Sequence, residues 1–210
     1  MLKLELQLNI PNQLTLLRIA LTPVFVILLL SSTPLLRQLS LLVFIVAALT
    51  DWYDGWIARK MGYVSQWGKF LDPLADKILS SAALLCYVAL GLVDGWMVWI
   101  IIVRDFLITG LRAYAEFRER PVVTSRSAQT KTFSQFVVMY YILILYVFRT
   151  MPGIYGEFGQ WIDSLMKREV LFGMMLLVTI MTVWTGAAYM FDNRKTLRDL
   201  YERTLFARPQ

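Results

Sequence analysis

Histidine is absent from this chain of 210 residues. That absence removes the commonest general base at neutral pH and every His-ligated metal site. Cysteine occurs once, as Cys86 inside an apolar run, which leaves no disulfide framework and makes packing its expected role. Residues 1–11 lack the pattern of a cleavable leader, so the start reads as mature, with residues 1–12 a candidate amphipathic segment on a membrane surface. No internal repeat and no second domain is evident, and residues 1–210 read as one domain. Charged residues make up only 17% of the sequence against 58% hydrophobic, with a mean hydropathy of +0.56. An ordinary soluble domain is nearer half apolar, so that class is excluded.

What is present is long apolar runs. Six of them reach, or nearly reach, the length a helix needs to cross hydrocarbon: Leu14–Ser32, Leu39–Ile57, Leu74–Val93, Trp96–Ala113, Phe133–Phe148 and Val170–Met190. The predicted fold is an all-α integral membrane bundle of six transmembrane helices, with Pro23 expected to kink the first. The short Gly91–Gly95 turn predicts antiparallel packing of the third and fourth. Residues 151–169 contain Pro152, Gly153, Gly156 and Gly159 and read as an external loop with a short amphipathic helix around Trp161. The net charge of +6 raises nucleic acid as a partner, but its distribution points elsewhere. Sixteen Lys and Arg fall on one set of loops and helix ends, including a basic tail at 191–210, and four on the other. The positive-inside rule then puts both termini in the cytoplasm and gives no reason to expect nucleic acid. With no organelle presequence in view, a bacterial inner (plasma) membrane is the expected location.

The most informative stretch reads D-x2-D-G-x2-A-R-x8-G-x3-D-x3-D, from Asp51 to Asp76. Asp51 and Asp54 stand at i and i+3 near the end of the second run; Asp72 and Asp76 stand at i and i+4 at the start of the third. On a helix each pair points within roughly 60° of one direction. Gly62, Gly68 and Pro73 suit a link and a helix start, and folding that hairpin would bring the two pairs together. Four like charges so close would repel, and divalent cations relieve this. Oxygen-only ligands suit Mg²⁺ or Mn²⁺, and four carboxylates are enough for two ions. Two metals beside glycines and an arginine suit phosphoryl transfer. Gly55, Ala58 and Gly68 would allow close approach of a flat group, and Arg59 would hold a phosphate or stack on a base. The bland alternative pairs these acids with Arg59, Lys60, Lys69 and Lys77. It serves any single Asp near a helix end as well as function does, but it accounts poorly for all eight positions together.

This pattern resembles the signature of the CDP-alcohol phosphatidyltransferase family, six-helix membrane enzymes, with every signature position filled. The resemblance implies displacement of CMP from a CDP-linked lipid or alcohol by a hydroxyl, assisted by divalent metals. It implies Asp51, Asp54 and Asp72 as metal ligands, and Asp76 as a metal-proximal carboxylate and general base. It puts Gly55, Ala58, Arg59 and Gly68 in the nucleotide site, and it implies a homodimer. Further segments are similar to the phosphatidylglycerophosphate synthase branch: Ile10-Pro11-Asn12-Gln13-Leu14-Thr15-Leu16-Leu17-Arg18, Asp72-Pro73-Leu74-Ala75-Asp76-Lys77, Val103-Arg104-Asp105 through Gly110-Leu111-Arg112, and Lys131-Thr132 with Gln135. The second of these is shared with cardiolipin synthases. Thr15 and Arg18 are candidates for holding the donor; a helix cap and a headgroup contact are their plain alternatives.

Arg104 lies about two turns into the fourth run, where facing lipid would be expensive, so it should face the interior. Arg112 falls near the same face eight residues on, and Lys131 opens the fifth helix. The three form a candidate basic pocket for an anionic acceptor, and glycerol 3-phosphate fits. The alternative, an Arg104–Asp105 network without ligand, meets the expectation that neighbours on a helix point apart. The expected reaction is therefore transfer of a phosphatidyl group from CDP-diacylglycerol to glycerol 3-phosphate. Rival acceptors are phosphatidylglycerol and inositol phosphate. A cation transporter is the rival from another class, but it would favour acids near the midplane rather than at one interface.

Overall fold

The computed structural model describes the backbone of residues 10–61, 66–117 and 126–194, and the side chains of residues 13–50, 73–115 and 129–194. Within those bounds every regular element is helical: α1 (Ile10–Leu30), α2 (Pro34–Met61), α3 (Gln66–Ala89), α4 (Gly95–Phe117), α5 (Arg126–Phe148), α6 (Pro152–Leu165) and α7 (Arg168–Asp192). Six of them close a ring, in which α1 packs on α2, α2 on α5, α5 on α7, α7 on α4, α4 on α3 and α3 on α1. The seventh, α6, leans only on α5 among these strong contacts, with Tyr141 Oη donating to Leu165 O at 2.9 Å.

The apolar runs account for both faces of the helices. Inside, Phe25 and Phe44 meet at 5.0 Å between ring centroids, and Phe44 meets Tyr140 at 5.2 Å, joining α1, α2 and α5. Outside, Ile27, Val103, Ile180 and Trp184 remain exposed. A helix apolar all round belongs in a lipid environment. Among the described residues three helices are long and apolar enough to cross a membrane: Gln13–Leu30, Gln129–Phe148 and Arg168–Asp192. The chain is a membrane protein whose described residues form helices alone. Helix α4 falls outside that set because Arg104, Asp105 and Arg112 interrupt its apolar run.

The turn after α3 is a Schellman cap. Leu92 N–H donates to Tyr87 O and Gly91 N–H to Val88 O, both at 2.9 Å, with Gly91 at φ +69°. It turns the chain back so that α4 packs on α3, as the short loop predicts. The segment read as an external loop carries the full helix α6, started by Pro152 at its first turn.

Several boundaries differ from the sequence reading. Helix α2 continues to Met61, beyond Ile57. Helix α3 starts at Gln66, so Gly68 is helical and Pro73 is interior rather than initiating. Helix α5 starts at Arg126 rather than near Phe133. Hydropathy marks where a helix enters hydrocarbon, whereas main-chain hydrogen bonding carries it on into the polar zone. Pro23 likewise sits inside an α1 that runs on to Leu30.

Candidate functional site

Helix α1 packs on both helices of the acidic motif, and Arg18 is the side chain that ties them. It is fully buried. Its Nε donates to Ala47 O on α2 at 3.3 Å, and its Nη1 donates to Asp76 Oδ1 on α3 at 2.7 Å. Ala47 lies one helical turn before Asp51, so Arg18 fixes the α2 approach to the first acidic pair against the last acid of the second. A headgroup contact does not describe Arg18, and a capping role does not describe Thr15, which is fully buried inside α1. A charge so far from water demands an interior partner, and Asp76 is that partner.

The side chains of Asp51, Asp54, Asp72, Gly55, Ala58, Arg59 and Gly68 lie outside the described residues. Their backbone is helical, in α2 and α3, so each acidic pair keeps its one-face spacing. Among the described residues no group of three or more His, Cys, Asp and Glu is placed to hold a metal. Asp76 is the described member of the four-carboxylate set, and its side chain stays 36% exposed beyond the Arg18 contact. An all-oxygen donor set on two helix faces fits Mg²⁺ or Mn²⁺.

Lys77, next along α3, turns to α4. Its Nζ donates to Asp105 Oδ2 at 2.9 Å. Asp105 Oδ1 also accepts from Lys131 Nζ on α5 at 2.5 Å and from Arg104 Nη1 at 3.1 Å. One buried carboxylate therefore gathers cations from three helices. Lys131 is fully buried and donates as well to Gln135 Oε1 at 2.6 Å, one turn along α5. Arg104 Nη2 donates to Thr185 Oγ1 on α7 at 2.9 Å, and that hydroxyl donates in turn to Met181 O. Gly186 leaves room for the arginine stem, since a Cβ there would lie 3.2 Å from Arg104 Cγ.

The predicted basic pocket is thus partly assembled. Arg104 and Lys131 do meet, facing inward. Arg112 does not join them: it is exposed and lies beside Tyr189 on α7. The expectation that Arg104 and Asp105 point apart is overturned, because the long arginine stem curls back to its neighbour. Lys77, Gln135, Thr185 and Gly186 complete the cluster without having been singled out for it. Lys77 and Gln135 lie in the branch-like segments quoted above, without an assigned role, whereas Thr185 and Gly186 gave only the faint signal of a Thr-Gly pair at the end of an apolar helix.

Residues 8–185 match the family model for CDP-alcohol phosphatidyltransferase. The chain belongs to the CDP-alcohol phosphatidyltransferase family. As such it is a membrane-bound transferase of phospholipid biosynthesis. Three similar proteins are each named CDP-diacylglycerol–glycerol-3-phosphate 3-phosphatidyltransferase. The protein from Bacillus subtilis is 40% identical over 148 residues, covering 65% of this chain and 77% of its own length. That from Rickettsia typhi is 37% identical over 161 residues, covering 74% and 89%. That from Salmonella paratyphi A is 30% identical over 200 residues, covering 92% and 100%. CDP-alcohol phosphatidyltransferases generally use divalent metals. In this member of the family, Arg18–Asp76 and the Asp105 cluster flank α3 on either side, one toward α1 and one toward α4.

Proposed function

We propose that this CDP-alcohol phosphatidyltransferase transfers the phosphatidyl group of CDP-diacylglycerol to sn-glycerol 3-phosphate, releasing CMP and phosphatidylglycerophosphate. The observation that carries this acceptor is the trio of cations on Asp105: Lys77, one residue along α3 from Asp76, and Arg104, both part-buried, with Lys131, fully buried. A phosphate-bearing alcohol seated on those cations holds its free hydroxyl toward the carboxylate end of α3. The names of the relatives support the same pair of substrates.

The reaction is a single displacement. The 1-hydroxyl oxygen of glycerol 3-phosphate forms a bond to the lipid-bearing phosphorus, its proton passes to Asp76, and the bond from that phosphorus to CMP breaks. Arg18 holds Asp76 in position. Thr15, Gly55, Ala58, Arg59 and Gly68 hold the donor, while Arg112 lies outside the cation cluster, beside Tyr189. Two divalent ions, held by Asp51, Asp54, Asp72 and Asp76, supply charge stabilisation to the diphosphate when bound. With no histidine and one buried cysteine, a covalent phosphatidyl-enzyme has no evident nucleophile there. The proposed setting is a bacterial inner membrane, with six spans, both termini and the site on the cytoplasmic side, and two copies per assembly.

The deciding experiment is CMP release from CDP-diacylglycerol by purified protein, with glycerol 3-phosphate, phosphatidylglycerol or inositol phosphate as acceptor. Release should require glycerol 3-phosphate and Mg²⁺ or Mn²⁺, and stop after chelation. Asp76→Asn should still bind CDP-diacylglycerol and lose turnover by at least about 100-fold, the scale of a general base. Release independent of glycerol 3-phosphate overturns the acceptor, and activity after exhaustive chelation overturns the metals.

A further inference from the structure

The cluster around Asp105 holds more positive charge than its own stability calls for. A buried carboxylate needs one cation to be compensated; this one has three, from α3, α4 and α5. Among the described residues the four groups carry two positive charges in excess, in a place where uncompensated charge is expensive. Nor are their donors used up within the cluster, for Arg104 Nε is buried without a hydrogen-bond partner. A phosphate monoester carries about −1.5 to −2 charges at neutral pH and three strong acceptor oxygens, which matches that excess.

We propose that Asp105 is the positioning residue of the acceptor site: it holds Lys77, Arg104 and Lys131 in a fixed constellation for the acceptor's phosphate and does not itself touch substrate. The inference rests on the acceptor reading above. Lysine stems are long and flexible, and like charges repel, so without an anchor Lys77 and Lys131 would swing apart toward water. Asp105 prevents this by taking Lys77 on Oδ2 and Lys131 and Arg104 on Oδ1. Gln135 steadies the Lys131 ammonium and Thr185 steadies the Arg104 fork. Simple charge arithmetic makes the opposite prediction. Asp105 repels an anionic acceptor, so if it were only a counter-ion, removing its charge would tighten acceptor binding. The sign of the change in KM separates the two accounts.

The test is steady-state kinetics on wild type, Asp105→Asn and Asp105→Glu, with CDP-diacylglycerol and glycerol 3-phosphate varied in turn. Asp105→Asn should raise the KM for glycerol 3-phosphate by about tenfold or more, the scale of losing a charge-assisted contact. The KM for CDP-diacylglycerol should stay within about twofold. Asp105→Glu, which restores the charge one methylene further out, should recover part of the loss. An acceptor KM that is unchanged or lower in Asp105→Asn overturns the proposal. So does an equal rise in both KM values, or a failure of both variants to give folded protein, since each marks a structural counter-ion. If wild-type CMP release shows no dependence on glycerol 3-phosphate, the acceptor reading itself has failed, and that result is distinct from any variant's behaviour.

Discussion

A methyl group added at Gly186 would sit 3.2 Å from Arg104 Cγ and 3.4 Å from Arg104 Nε. Arg104 would have to give way by several tenths of an ångström, and its bond to Thr185 is the contact most directly disturbed. Helix propensity pulls the other way, since alanine is favoured over glycine by about 1 kcal/mol in a helix interior. Gly186→Ala should therefore leave the thermal midpoint unchanged or slightly raised while raising the KM for glycerol 3-phosphate by about fivefold through misplacement of the cation. A lower midpoint with an unchanged KM would mark Gly186 as a packing residue only. At this scale the sequence was legible where physical cost was high. Arg104 deep in an apolar run had to face inward, and Asp76, the described acid of the motif, meets the cation Arg18. Thr185 and Gly186 were not legible, because threonine and glycine are ordinary in membrane helices and only the arginine lying across them gives them meaning. The Arg104–Asp105 contact was hidden for another reason. Backbone directions diverge between neighbours, but a long side chain can curl back over its own turn.

Helices were easier to foresee than their ends. All six apolar runs became helices, and the loop between the fifth and sixth runs supplied α6. Their polar extensions were missed because nothing in the composition of residues 66–73 or 126–132 separates helix from loop. The bonds that fasten helix to helix were equally invisible. Tyr87 on α3, fully buried, donates its hydroxyl to Met139 O on α5 at 2.8 Å. In sequence it is one more aromatic residue in an apolar run. Tyr87→Phe removes the donor and leaves no new polar group stranded, so it should cost about 1 kcal/mol and lower the midpoint by about 2–4 °C in detergent. Both KM values should be unaffected, because this bond does not touch Asp76 or the Asp105 cluster. A selective change in either KM would mean that the α3–α5 contact helps shape the site.

Across the whole molecule, Lys and Arg divide unequally between the two sets of loops and helix ends. Three of the four cations assigned to the sparse side have partners there: Arg37 donates to Ser31 O at 2.6 Å, Arg149 pairs with Asp163 at 2.9 Å and Arg168 with Asp94 at 3.3 Å. In the sequence the other sixteen loop and helix-end cations fall on the opposite set of loops, which is the asymmetry that the proposed topology, with its basic loops in the cytoplasm, would produce. The proposed topology makes a specific demand. Thr33 and Gln160 should face outward and Gln129 inward, with α2, α3 and α4 crossing between the first and Gln129, and α5 between Gln129 and Gln160. All three side chains are exposed, while Cys86 is buried and replaceable by alanine as a background. In intact cells a membrane-impermeant maleimide should label Thr33→Cys and Gln160→Cys, and should reach Gln129→Cys only after permeabilisation. The reverse pattern would turn the molecule over and place the acidic motif outside, away from a cytoplasmic acceptor. Labelling of Gln129→Cys and Gln160→Cys from one side would remove α5 as a span, and agreement between Thr33→Cys and Gln129→Cys would break the odd number of crossings by α2, α3 and α4. Because Lys131 sits two residues beyond Gln129 and bonds Asp105, the side on which Gln129→Cys reacts also fixes the side from which a soluble phosphate ester reaches the cation cluster.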